Sequence, residues 1–149
     1  MIIFTTFTEE LDTLAEHFGK LCVTHNGPMS TKEKQKSVDT FQNNDKVKVF
    51  IGNVRSAGVG ITLTSSNVTV FNSFDWTPGV NVQCEDRNYR IGQKNSVNIY
   101  YQLFEDTIST RMWETLKNKS ENISIIMNDK NYSDEELTNI MLEKLIEND

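Results

Sequence analysis

Short apolar runs alternate with helical periods along this chain, a pattern that predicts an α/β sandwich with a mainly parallel central sheet. The run Ile2-Ile3-Phe4-Thr5 opens as a strand. Thr8 then stands at a cap position, Glu9 and Glu10 suit the positive end of a helix, and Leu11, Leu14, Ala15 and Phe18 form an i, i+3, i+4, i+7 stripe. Gly19 ends that helix. Residues 21–24 read as a second strand, followed by a turn at Asn26-Gly27-Pro28. Ser30-Thr31-Lys32-Glu33 is a capping-box pattern opening a polar helix to about Phe41, with Val38 and Phe41 inward. Three further β-branched or aromatic runs, at 47–51, 68–72 and 97–103, complete the set of strands.

Between the last two strands, Thr77 as cap and Pro78 at the first helical position predict a helix that runs to Gly92, with Arg90 in its final turn. Asp106 or Thr107 starts another helix carrying Ile108, Met112, Trp113 and Leu116. Further on, Ser133-Asp134-Glu135-Glu136 is a second capping box, and Leu137, Ile140, Met141 and Leu145 form a terminal amphipathic stripe able to pack on the domain or on a partner. The expected organisation is one domain over residues 1–127 with a helical extension over 128–149.

Composition narrows the function classes. With 149 residues the chain suffices for one domain with a substantial core. No apolar run reaches the ~18 residues of a membrane span. The start, Met1-Ile2-Ile3-Phe4, has neither a basic region nor a small-residue cleavage site, so it reads as a strand and the expected location is cytoplasmic. Cys22 and Cys84 lie far apart without a CxxC or Cys/His grouping, and His17 and His25 lack partners at ligand spacing, so no metal site and no disulfide are expected. A net charge of −6 argues against a strong nucleic-acid binder acting alone and confines any DNA contact to a local surface.

The candidate chemistry lies in Gln83-Cys84-Glu85-Asp86-Arg87-Asn88-Tyr89-Arg90-Ile91-Gly92-Gln93. On a continuous helix Gln83, Arg87 and Arg90 fall within about 60° of one another, while Glu85 points away. A guanidinium stays charged at physiological pH and presents a planar fork of donors, which suits the oxygens of a phosphoryl group in transit. Upstream, Gly52-Asn53-Val54-Arg55-Ser56-Ala57-Gly58-Val59-Gly60-Ile61-Thr62-Leu63 is a glycine-containing loop of the kind that lets backbone approach phosphate.

Together these segments resemble helicase superfamily two, in its Swi/Snf-type DNA translocase form. The arginine string resembles motif VI, Gln-x-x-Asp-Arg-x-His-Arg-Ile-Gly-Gln, with Tyr89 in place of the histidine. Arg55, Gly58, Gly60, Ile61 and Leu63 match motif V, from which Ala57 and Thr62 depart. Asp75-Trp76-Thr77-Pro78 is similar to the Asp-Trp-Asn-Pro segment. The start of the chain resembles motif IV with Thr5-Thr6 in place of Ser-Gln, and His25-Asn26-Gly27 stands where the family often has Arg-x-Asp-Gly.

The resemblance implies a RecA-like three-layer sandwich, the second lobe of an ATP-dependent DNA translocase or helicase. It implies Arg87 and Arg90 as fingers toward ATP, and Gln83, Gly58 and Gly60 as nucleotide contacts. Thr5, Thr6, Arg55, Ser56 and Trp76 are implied as DNA contacts. ATP and Mg²⁺ belong to the complete two-lobe enzyme, whose first lobe and duplex DNA are the implied partners. The chain contains no GxxxxGK[ST] loop, and Asp134-Glu135 follows no buried strand, so by itself it is expected not to hydrolyse ATP. Two other readings stay open: a dinucleotide or nucleotide-sugar enzyme, against which the Thr-rich segment after the first strand stands, and a noncatalytic DNA-binding or regulatory module that keeps the lobe's fold.

Overall fold

The structure is a computed structural model that describes residues 1–57 and 60–128, with side chains as far as Lys119. Two compact units partition the chain, Met1–Thr110 and Arg111–Asp149. In the first, five strands form one sheet: β1 (Ile2–Thr5), β2 (Cys22–His25), β3 (Val49–Asn53), β4 (Val68–Phe71) and β5 (Asn98–Tyr101). Their order is β2-β3-β1-β4-β5 and every pairing is parallel. The helices are α1 (Thr8–Phe18), α2 (Thr31–Asn43), the single turn α3 (Val54–Ala57), α4 (Pro78–Glu85) and α5 (Ile108–Asn128). Of the second unit, the described residues are those of α5, which carries Met112 and Leu116 one turn apart.

Burial explains the strand order. A central parallel strand is covered on both faces and so reads as an unbroken apolar run. β1 and most of β3 are of that kind, whereas the edge strand β5 alternates exposed and half-buried positions. The registers Ile2↔Phe50, Ile2↔Thr69 and Thr69↔Ile99 fix which side chains share a face. On one face Ile3, Val49 and Ile51 pack with Leu11, and Leu14, Ala15 and Phe18 of α1 close over them. On the other face Phe4 lies 5.3 Å from Phe71, and Phe50 lies 5.5 Å from Phe41 of α2. Gly52 belongs to this second face, where a Cβ would stand 3.0 Å from both the Ala57 Cβ and the Phe50 ring. Glycine there lets α3 fold directly onto the sheet.

Several boundaries differ from the sequence expectation, and pairing gives the reason. The third strand is Val49–Asn53 and not 47–51 because its register is set against β1. Lys48 instead donates its N–H to the Leu21 carbonyl at 2.8 Å and accepts from the Met1 ammonium at 2.6 Å. The capping box forms as expected, Ser30 N–H donating to Glu33 Oε2 at 2.8 Å and Glu33 N–H to Ser30 Oγ at 3.3 Å. Neither Thr8 nor Thr77 caps its helix through a side chain: Phe7 holds the N-cap of α1, and Thr77 occupies that of α4 without a side-chain bond. Cys84 is fully buried, and burial pushes its thiol up to about 12, while Cys22 is only half-buried. The second capping box and the terminal stripe at 133–145 lie outside the described residues.

The helix expected to reach Gly92 ends at Glu85. Tertiary bonds take over at that point. The Arg87 carbonyl accepts from Leu63 N–H at 2.8 Å, and the Asn88 side chain turns inward to donate to Thr69 Oγ1 of β4 at 2.9 Å. Residues 86–92 therefore form a bonded turn, closed by Gly92 at φ +108°.

Two outcomes follow from this packing. Ser30→Ala should cost about 1 kcal/mol in urea unfolding, since it removes both the acceptor for Glu33 N–H and the anchor for the Glu33 carboxylate. His25 is 2% exposed, beside Ser37 Oγ at 3.3 Å and the Phe50 ring at 5.7 Å. Burial and the Lys34 charge hold its imidazole below the ordinary 6.5, against bonds to the Ser56 and Lys34 backbone that act the other way. The unfolded chain thus binds a proton more readily than the folded one, so stability is full above pH 6.5 and declines as pH falls toward the folded value. Urea unfolding at about pH 7.5 and about pH 5.5 should show that decline, and His25→Gln should flatten it.

Candidate functional site

A parallel sheet brings the ends of all its strands to one edge, and four of the predicted DNA-facing residues lie in the loops there. Their side chains are not equivalent. Thr5 is fully buried and donates Oγ1 to the Phe7 carbonyl at 3.3 Å. Thr6 Oγ1 and Ser56 Oγ are buried without a hydrogen-bond partner among the described residues. In this structure the three hydroxyls turn away from solvent. β1 is flanked on both sides, so its last residue is enclosed. Thr6 contributes through its backbone: N–H donates to Ser73 Oγ at 2.7 Å, and its carbonyl accepts from Asn53 Nδ2 at 2.8 Å. Ser73 in turn donates to the Glu10 carboxylate.

Arg55 and Trp76 are exposed at this edge, at 77% for the Arg55 side chain and 48% for Trp76. Asp75 connects them. Its Oδ2 accepts from Arg55 Nε at 2.8 Å, and its Oδ1 accepts from Thr77 N–H at 2.9 Å. Burial acts to raise the Asp75 carboxyl, but the bonds from Arg55 and Thr77 outweigh it and bring it below the ordinary carboxylate value. Asn81, 3% exposed, locks the same loop by accepting from Asp75 N–H at 2.8 Å and donating to the Asp75 carbonyl at 2.7 Å. Trp76 therefore sits on a rigid loop with its ring outward.

The second group lies on the return path toward the start of β4. Gln83 is exposed, and its carbonyl accepts from Arg87 Nε at 2.6 Å. Arg87, 7% exposed, also donates Nη1 to the Ile61 carbonyl at 3.3 Å. Arg90 is exposed, donating Nε to the Asp86 carbonyl at 3.2 Å and Nη1 to Thr62 Oγ1 at 3.1 Å. Gly60 turns the approaching loop at φ +71°, and Gly58 lies outside the described residues. The single helix face expected for Gln83, Arg87 and Arg90 is replaced by a helix end and a turn, yet the three remain adjacent through these bonds.

The electrostatics of the arginine pair are unusual for so acidic a chain. Among the described residues Arg55–Asp75 is the ion pair formed within 4.0 Å, so both Arg87 and Arg90 are held by neutral oxygens. Burial, and next the Arg90 charge beside it, push the Arg87 guanidinium below its ordinary value. Two cations fixed together without a carboxylate are poised to receive an anion. No cluster of His, Cys, Asp or Glu suited to a metal occurs among the described residues. No described helix is long and apolar enough to cross a membrane.

Sequence reasoning missed the supporting residues. Asn81 and Gln42 look like ordinary polar helix positions, and Thr62 registered only as a departure from motif V. Gln93 had a signal, as the last letter of the motif VI string, but no role.

The helicase conserved C-terminal domain model matches residues 1–92. A probable ATP-dependent helicase of Plasmodium falciparum is 34% identical over 137 residues, covering 89% of this chain and 7% of that protein. Helicase swr1 of Schizosaccharomyces pombe is 36% identical over 115 residues, covering 75% of this chain and 9% of that protein. The crystal structure of the C-terminal part of the Fun30 ATPase domain superposes with a TM-score of 0.72 at 25% identity, covering 77% of this chain and 38% of that one. The chain thus spans under a tenth of the length of those two helicases. Motif order, an all-parallel five-stranded sheet and these similarities agree: the chain belongs to the helicase conserved C-terminal domain family, as a RecA-like second lobe of the Swr1/Snf2 type.

Proposed function

We propose that this chain is the second motor lobe of an ATP-dependent DNA translocase, hydrolysing ATP only together with a first lobe. The observation that carries the reading is the arginine pair: two guanidiniums on one turn, bonded to carbonyl and hydroxyl oxygens and matched to no carboxylate among the described residues. An anion completes such a site, and the γ-phosphoryl of ATP held by the opposing lobe fits its charge and fork geometry. In this reading Arg87 and Arg90 stabilise charge on the equatorial oxygens as the phosphoryl leaves. Gln83, at the preceding turn, is a nucleotide contact in this reading, as are Gly58 and Gly60. In this reading Mg²⁺ is coordinated by the first lobe.

At the strand-end edge, Arg55 and Trp76 are the groups available to duplex DNA. Arg55 engages Asp75 through Nε and keeps most of its side chain in solvent, a disposition suited to a phosphate contact that sets register without reading bases. Thr5, Thr6 and Ser56 shape this edge from within. Arg55 on the DNA side and Thr62 on the arginine side both belong to the β3–β4 connection.

In this chain joined or reconstituted with a first lobe, Arg87→Ala and Arg90→Ala should each lower DNA-stimulated ATP turnover by ~10³-fold. Exposed Arg90→Ala should leave thermal unfolding of the lobe little changed, whereas Arg87→Ala, which removes a buried side chain bonded to the Gln83 and Ile61 carbonyls, should also lower the midpoint. Undiminished turnover in both would remove the finger assignment. Arg55→Ala and Trp76→Ala should raise the DNA concentration needed for half-maximal stimulation and leave turnover at saturating DNA nearer to that of the unaltered protein, as measured by titrating duplex DNA at fixed ATP.

A further inference from the structure

The geometry points to Thr62 as the positioning residue of Arg90, with Gln42 and Gln93 holding Thr62 in place. This rests on the finger role proposed above and adds to it the group that aims the finger. The exposed Arg90 side chain has many rotamers, and a finger that reaches across a cleft loses rate when its fork is unaimed. Here the fork is aimed by the bond from Nη1 to Thr62 Oγ1, 3.1 Å, while Nε is tied to the Asp86 carbonyl at 3.2 Å. A hydroxyl accepts that bond without neutralising the guanidinium, as a carboxylate would, so Arg90 keeps its full charge for an incoming anion.

Thr62 could not aim anything if its own loop were loose. Gln42, near the end of α2, donates Nε2 to the Thr62 carbonyl at 3.1 Å and accepts Ser65 N–H at Oε1 at 2.8 Å. From the other side Gln93 donates Nε2 to the Ser66 carbonyl at 2.8 Å and the Thr64 carbonyl at 3.2 Å. Leu63 N–H closes the arrangement on the Arg87 carbonyl at 2.8 Å. The loop is thereby clamped between two amide side chains from separate parts of the chain, and the arginine turn is bonded to the loop itself. Residue 62 is also a position at which this sequence departs from motif V, and a short β-branched hydroxyl defines the length of the support.

The test uses this chain joined or reconstituted with a first lobe, with duplex DNA at saturation. Thr62→Val keeps the branched shape and removes the acceptor; it should lower kcat for ATP about tenfold with little change in KM and no loss in the thermal midpoint. Thr62→Ser restores the acceptor and should recover most of kcat. In an Arg90→Ala background Thr62→Val should have no further effect, because there is no fork left to aim. If Arg90→Ala is severely slowed while Thr62→Val turns over normally, the positioning role is overturned and the finger reading stands. Should Arg90→Ala itself be undiminished, both fall. A Thr62→Val protein slowed only in parallel with a lowered midpoint, and not rescued by serine, would also overturn the proposal by reducing Thr62 to a packing residue.

Discussion

Parallel pairing of five strands is the constraint from which the rest of this lobe follows. Each strand must be reached by a crossover, so every strand-ending loop gathers at one edge, and every connection runs back across a face. β1 at the centre, hydrogen-bonded to β3 and β4, is enclosed so completely that its final residue cannot face solvent. The loops after β3 and β4 then carry Arg55 and Trp76 to the same edge, and the return segments bring Thr62 and Arg90 together beside the start of β4. The candidate contacts for DNA and for nucleotide are thus two stations shared by the β3–β4 and β4–β5 crossovers.

Charge is handled differently at the two stations. At the edge, Arg55 is matched by Asp75, whose buried carboxylate is sustained by the guanidinium and by Thr77 N–H. That pair is worth little in free energy, because the arginine is largely in water. Its use is to fix the loop that displays Trp76. At the arginine turn the opposite arrangement holds: cations are supported by neutral acceptors, and burial together with their mutual repulsion destabilises charged Arg87. Neutral support preserves attraction for an outside anion, which explains how a chain of net charge −6 can still offer a focused positive site.

Buried or half-buried amide side chains hold the loops around both stations. Asn81 closes the Asp75 loop, Asn88 ties the arginine turn to β4, and Gln42 and Gln93 grip the loop between them. Asn81, Gln42 and Gln93 satisfy backbone groups that irregular segments would otherwise leave unpaired, while Asn88 donates to the Thr69 hydroxyl. An amide carries both a donor and acceptors, so it can bridge a carbonyl and an N–H at once, as Gln42 does, without adding charge near the guanidiniums.

The one-dimensional pattern determined most of the strands and helices, the parallel sheet and the capping box at Ser30, because apolar periodicity and cap chemistry are local properties. Strand limits at β3 shifted by two residues because register is set by the neighbouring strand. The length of α4 was misread, since the carbonyl of Arg87 is claimed by Leu63, a residue two dozen positions earlier that no helical periodicity takes into account. Likewise, whether Thr5, Thr6 and Ser56 offer a hydroxyl or enclose it depended on what stacked against β1. Sequence named the arginines; only tertiary structure decided which way they are held, because a hydrogen bond to Thr62 or Ile61 depends on distance in space and not on separation along the chain.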